Sequence, residues 1–169
     1  MAQLSTDGPR AEPQKFPTVH GGFYERAPFE APLIDIYGRF LCALADLDGA
    51  VLIHCMGGKD RTGILVALIH HILGVARGET LRDYLLTNDL NLRPGRDEWF
   101  CEIMSKQAGR EIPAGCGRAA LEIHPEYLTT AFAAMERRHG SIEGYLAEAL
   151  GVGPEQQGRI RERFTEARP

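Results

Sequence analysis

Apolar residues recur along this chain in three rhythms, and each predicts an element. From Ala31 to Leu47 they fall three and four apart, at Leu33, Ile34, Tyr37, Phe40, Leu41, Leu44 and Leu47. That spacing puts them on one face of a helix, and Pro32 suits its first turn. Asp48-Gly49 forms a turn. Ala50 to His54 is apolar without alternation, as in a strand buried on both faces of a parallel sheet. A glycine-rich stretch follows. Apolar residues then run almost unbroken from Ile64 to Leu73 and stop at Gly74, which predicts a helix over 61–73 buried all round.

Downstream the pattern is helical. Leu81, Tyr84 and Leu85 form the inward side of a helix over 79–88, and Arg93-Pro94-Gly95 breaks the chain. A helix over 97–107 has Trp99, Phe100, Ile103 and Met104 as its buried side. Residues 108–123 contain Gly109, Pro113, Gly115 and Gly117 and read as a loop. Pro125 opens a helix that runs to His139. Ser141 caps a short one to Leu150, and Pro154 opens a last one towards Ala167. In that last helix Arg159, Arg161, Arg163 and Arg168 alternate with acids, the pattern of a solvated face.

Residues 1–30 lack periodicity and are rich in proline, so they read as an extended N-terminal arm. Lys15 to His20 within it forms a short edge strand ended by Gly21-Gly22. The domain proper is then 31–169, with its helical C-terminal part over 78–169. The expected class is α/β: a central parallel strand, loop and helix, followed by a mostly helical part. The sheet is incomplete within this chain, because a strand buried on both faces needs backbone partners. A homodimer or a missing N-terminal segment would supply them.

Composition narrows the possibilities. With 169 residues, 44% of them hydrophobic and 25% charged, the chain fits one soluble globular domain. A net charge of −4 leaves no broad basic surplus, which argues against a nucleic-acid binder. The four cysteines form no C-x-x-C pair and suggest neither zinc nor a disulfide framework. Reduced thiols and the lack of a signal sequence point to the cytoplasm. The apolar run from Ile64 to Val75 is too short to span a bilayer, so no stable membrane insertion is expected.

Chemistry concentrates in the glycine-rich stretch, His54-Cys55-Met56-Gly57-Gly58-Lys59-Asp60-Arg61-Thr62-Gly63. Five residues separate Cys55 from Arg61. A loop of that length between a strand and a helix turns its peptide N–H groups, from Met56 to Arg61, around one oxyanion. Gly57, Gly58 and Gly63 permit the backbone angles and the close approach. The Arg61 guanidinium can hold two oxygens of a phosphate at once. So positive a setting lowers the pKa of Cys55, and its thiolate is a nucleophile for in-line displacement on a phosphate monoester. The Thr62 hydroxyl can donate to that sulfur, and Lys59 adds a cation at the rim.

His54 either orders the loop through the backbone or is a satisfied core histidine. The leaving alcohol needs a proton, and Asp60 is the nearest carboxyl. Asp60 could instead pair with an arginine or cap the helix. Glu25, Glu30 and Asp35 would reach the loop only from a folded-over segment. Cys42, Cys101 and Cys116 lack such surroundings and read as inert. His70 and His71 are adjacent on the buried helix and do not make a metal site.

These ten residues resemble the signature loop of cysteine-based tyrosine phosphatases, and more narrowly the atypical bacterial tyrosine and dual-specificity group with an HCxxGKDRTG loop. Asp83 to Asn88, Pro125 to Leu128 and Gly140 to Leu146 are similar to further segments of that group. The resemblance implies an α/β phosphatase domain and a cysteinyl-phosphate intermediate formed without metal or other cofactor. It implies Cys55 as nucleophile, Arg61 as phosphate clamp, Asp60 as acid and Lys59 as a substrate contact. Charged loop residues also resemble those of lipid phosphatases, so phosphoinositides join phosphotyrosine proteins as substrates. Several N-terminal strands and an Asn-Phe-Arg-Asp-Leu-Gly-like segment, usual in such domains, are not found here. A catalytically weak phosphate-binding module is the alternative from another class. A sulfurtransferase or arsenate reductase fits the Lys59–Gly63 tail less well, and no resolving cysteine lies near Cys55.

Overall fold

A computed structural model describes residues 21–113 and 116–165, and these residues are helical wherever they are regular. Helix α1 spans Gly21–Arg26 and runs into a 3-10 turn at Ala27–Phe29. Helix α2 spans Ala31–Asp46 and α3 spans Asp60–Ile72. Then come α4 (Arg77–Leu85), α5 (Thr87–Asn91), α6 (Arg96–Ala108) and α7 (Cys116–Leu121). The chain closes with α8 (Pro125–His139), α9 (Ile142–Glu148) and α10 (Pro154–Phe164).

Helix α3 forms the centre. Ile64, Leu68 and Ile72 are fully enclosed, with Leu65 and Ala67 nearly so, and no residue from Thr62 to Leu73 is exposed. The run of apolar residues is therefore enclosed on most sides, with Val66, Ile69 and Leu73 half-buried. Helices α4, α8 and α10 pack against α3, while α10 also packs on α2 and α8 on α1 and α9. The predicted face of α2 is inward at Leu33, Tyr37, Leu41 and Leu44. Gly38 lies on the same side; a Cβ there would stand 2.5 Å from the Leu150 carbonyl oxygen, so only glycine admits this approach.

Several expectations need correction. Residues 50–54 are not a strand, and no strand is present among the described residues. Far from being buried on both faces, Leu52 is 85% exposed. No neighbour among the described residues supplies a ladder, and an apolar run alone cannot make one. Residues 21–29 are not an extended arm. They are helical, and Tyr24, Ala27 and Pro28 are buried. The edge strand expected at 15–20 lies outside the described residues.

Residues 108–123 are not all loop, because α7 forms within them. It packs on the Cys101 side of α6, where Gly117 leaves room for Cys101 Sγ and the Asp97 carbonyl. Cys101 is thus the buried residue of α6. Trp99 is 45% exposed and sits under the Arg96 guanidinium, 4.0 Å from ring centre to carbon. The helix expected over 79–88 is two, α4 and α5. Asn88 clamps the chain after α7 in both directions, donating to the Ile123 carbonyl at 2.8 Å and accepting from the Ile123 N–H at 2.9 Å.

The arginines of α10 are only in part a solvated face. Arg161 Nε donates to the Ile72 carbonyl at 2.5 Å, and Arg163 donates to Leu44 O at 3.0 Å and Gly49 O at 2.9 Å. The Ile72 and Leu44 carbonyls stand in the last turns of α3 and α2, where carbonyls lack partners within the helix and attract cations, and Gly49 lies in the bend just beyond α2.

Candidate active site

The loop 55–59 passes directly into the first turn of α3, so peptide N–H groups and the helix N-terminus converge beside Cys55. Gly58 has φ +65°, a left-handed angle that lets the loop curl and that side chains resist. Cys55 is half-buried. Burial by itself would push its thiol up. Hydrogen bonds from the Thr62 hydroxyl and from the peptide N–H groups of Thr62, Gly58 and Gly57 outweigh that and hold it below the ordinary thiol value. Thr62 Oγ1 is enclosed and has no other partner among the described residues, so its proton is left to that sulfur.

Arg61 lies at the mouth, exposed, its main chain pinned by Tyr37, whose hydroxyl donates to the Arg61 carbonyl at 2.6 Å. Met56 is 74% exposed and offers only its backbone to the loop. His54 is exposed, with Nδ1 3.4 Å from the Cys55 carbonyl. It is therefore not a core histidine, and its hold on the loop is long and weak.

Lys59 departs most from expectation. It does not stand at the rim but is buried at 6% exposure, where its ammonium donates to Asp60 Oδ1 at 2.8 Å. A buried cation needs such a partner. Asp60 also accepts from the hydroxyl of Tyr24, which in turn lies 2.9 Å from that of Tyr84. The other carboxyls do not fold over the loop. Glu25 pairs with Arg137 at 2.9 Å and Asp35 with Arg39 at 3.1 Å, both on the surface, and Glu30 is exposed before α2. His71 pairs with Glu143 at 2.9 Å. Among the described residues no three His, Cys, Asp or Glu side chains converge as metal ligands would.

Tyr24, Tyr37 and Tyr84 are the neighbours that sequence reasoning missed at this site. Tyr37 and Tyr84 were legible as inward-facing helix positions, though not as hydroxyls aimed at the loop. Tyr24 carried no signal, since it stands outside any periodic run. A cavity of about 340 Å³ opens beside Cys55 and Arg61, walled by Ile36, Tyr37, Phe40 and Leu52.

Cys55 with its lowered pKa, the N–H groups of Gly57, Gly58 and Thr62 around it, an exposed arginine and the Asp60 carboxyl thus stand together at the start of α3. The family model that describes the tyrosine phosphatase family matches residues 4–166. The chain belongs to the tyrosine phosphatase family. Membership fits a phosphatase-like fold, although the expected sheet is not found among the described residues. This family member is 31% identical over 156 residues to the triple specificity protein phosphatase PtpB of Mycobacterium tuberculosis, covering 89% of this chain and 52% of that one. It is 32% identical over 129 residues to a tyrosine-protein phosphatase of Nostoc commune, covering 73% of this chain and 42% of that one. The tyrosine phosphatase family chain thus spans about half the length of the curated relatives it matches. No helix among its described residues is long and apolar enough to cross a membrane.

Proposed function

We propose that this protein hydrolyses phosphate monoesters, phosphotyrosine foremost, through a cysteinyl-phosphate intermediate. The observation that carries the proposal is the Cys55 sulfur, held below the ordinary thiol pKa by loop N–H groups and Thr62 at the start of α3. In the first step Cys55 Sγ attacks phosphorus. The S–P bond forms, the P–O bond to the leaving group breaks, and Asp60 gives that oxygen a proton. In the second step water attacks phosphorus, Asp60 takes its proton, and the S–P bond breaks to return thiolate and inorganic phosphate. Arg61 holds the equatorial oxygens in both steps, and the loop N–H groups of Met56 to Arg61 bind the charge that builds there. Lys59 serves the reaction by holding Asp60.

Dual specificity and phosphoinositide turnover follow the same chemistry with a different leaving alcohol. A relative's name speaks of triple specificity, which supports testing all three classes. The place of action proposed is the cytoplasm, and neither a cofactor nor nucleic acid takes part. A weak-turnover binding module is the second reading. The segment 50–54 favours it, because it enters Cys55 with no ladder to stiffen it among the described residues.

Phosphate release from phosphotyrosine, phosphoserine and phosphothreonine peptides and from phosphoinositide vesicles, with wild type and Cys55→Ser, tests both. Sustained release from phosphotyrosine that Cys55→Ser abolishes is expected. One phosphate per chain and no more would leave the binding module, and unchanged turnover by Cys55→Ser would sink the mechanism.

A further inference from the structure

Asp60 is gripped by a residue from a distant part of the chain. Tyr24, on α1 and 36 residues earlier, is fully enclosed and donates its phenolic proton to Asp60 Oδ1. A phenol has one proton to give, so the 2.9 Å contact between the Tyr24 and Tyr84 hydroxyls runs from Tyr84 to Tyr24. The result is a directed chain from Tyr84 through Tyr24 to Asp60. Lys59 Nζ donates to the same Oδ1 at 2.8 Å.

The surrounding packing fixes each member. The Tyr127 ring stacks on that of Tyr24 with centroids 4.8 Å apart and planes 20° from parallel. Gly63, one turn after Asp60, makes room for Tyr84: a Cβ there would stand 2.5 Å from its Cε2. Burial, then the neighbouring phenol and Asp60, push Tyr24 far up, and burial pushes Tyr84 up as well. Both phenols therefore stay protonated, as donors, through the range in which enzymes work. Two donors on Oδ1 make Oδ2 the oxygen available to a leaving group.

We propose that Tyr24, backed by Tyr84, is a positioning residue that locks the rotamer of Asp60 so that Oδ2 exchanges the proton of the leaving alcohol. The proposal rests on the acid role given to Asp60 above. Tyr24 touches neither substrate nor phosphorus and acts only through Asp60. A carboxyl free to swing would deliver its proton from a poor geometry, a loss felt only where the leaving group needs that proton.

The test is a series of aryl phosphates from p-nitrophenyl phosphate to phenyl phosphate, with wild type, Tyr24→Phe, Asp60→Asn, their double variant and Cys55→Ser. Tyr24→Phe is expected to lose about ten- to a hundredfold in kcat on phenyl phosphate, with KM little changed and a much smaller loss on p-nitrophenyl phosphate. In the Asp60→Asn background it should add nothing. An equal loss along the series, or losses that multiply with those of Asp60→Asn, would overturn the proposal.

Tyr24→Phe leaves the Tyr84 hydroxyl without its acceptor, so Tyr24→Phe/Tyr84→Phe is measured beside it, as removing both partners of a buried bond costs less than removing one. The double variant must show the same leaving-group dependence, and Tyr84→Phe alone a weaker form of it, since Tyr84 acts only through Tyr24. The Cys55→Ser arm separates the two failures. Residual turnover there defeats the hydrolytic mechanism itself, whereas a dead Cys55→Ser with a uniform Tyr24→Phe loss defeats only the role of Tyr24.

Discussion

Thr62 shows how one side chain decides the state of another. Its peptide N–H and its hydroxyl both act on Cys55, against a burial that alone would keep the sulfur protonated. A thiol with a depressed pKa is thiolate above that pKa and loses its charge as pH falls through it. Alkylation by iodoacetamide should therefore persist below the pH at which an ordinary thiol stops reacting. Thr62→Ala removes the hydroxyl but keeps the peptide donors, so the midpoint of the alkylation-against-pH curve should move upward. An unmoved midpoint would place the whole effect on the backbone of Thr62, Gly58 and Gly57. Cys55, Arg61 and Thr62 were proposed as site residues from their spacing, the glycines between them and the apolar runs on either side. The burial of Lys59 against Asp60 was not, because adjacent residues in sequence can point anywhere until a core forms around them.

At the scale of elements, helix ends matter more than helix faces. The predicted inward faces of α2, α3 and α4 hold, since period and polarity are local properties of the sequence. What the period does not reveal is which cation reaches which carbonyl. Arg163 spans the Leu44 carbonyl at the end of α2 and the Gly49 carbonyl just beyond it, whereas Arg159, four residues earlier, makes a surface pair with Asp46 at 2.6 Å. Arg163→Ala should lower stability by about 1–2 kcal/mol, because it uncaps carbonyls in a partly buried setting. Arg159→Ala should cost no more than roughly 0.5 kcal/mol, since an exposed pair contributes little. Chemical denaturation of both variants measures the difference, and equal losses would reduce Arg163 to another surface charge. α7 went unseen because Gly117 and Pro113 look like loop residues, while its docking depends on Asn88 and Asn91 far upstream.

At the scale of the molecule, the weight of the described residues lies around α3, and no sheet is present among them. Leu68 is fully enclosed and Leu52 is not. Leu68→Ala should cost about 2–5 kcal/mol through lost burial and the cavity left behind. Leu52→Lys should change the stability of this chain by no more than about 0.5 kcal/mol, the usual range for an exposed site. Were 50–54 a central strand, the lysine would be ruinous, so thermal unfolding of the two variants separates a helical core from a sheet-centred one.

The sequence by itself determined the helices that carry apolar stripes, the loop between Cys55 and Gly63 and the chemistry that its residues permit. Those are short-range matters: spacing, charge and the conformations glycine allows. Tertiary structure alone decided that Tyr24 comes to Asp60, that Lys59 faces inward, and that 50–54 finds no ladder among the described residues. Each of these depends on contacts between segments far apart in the chain, and whether such contacts form is settled by packing, which no local pattern records.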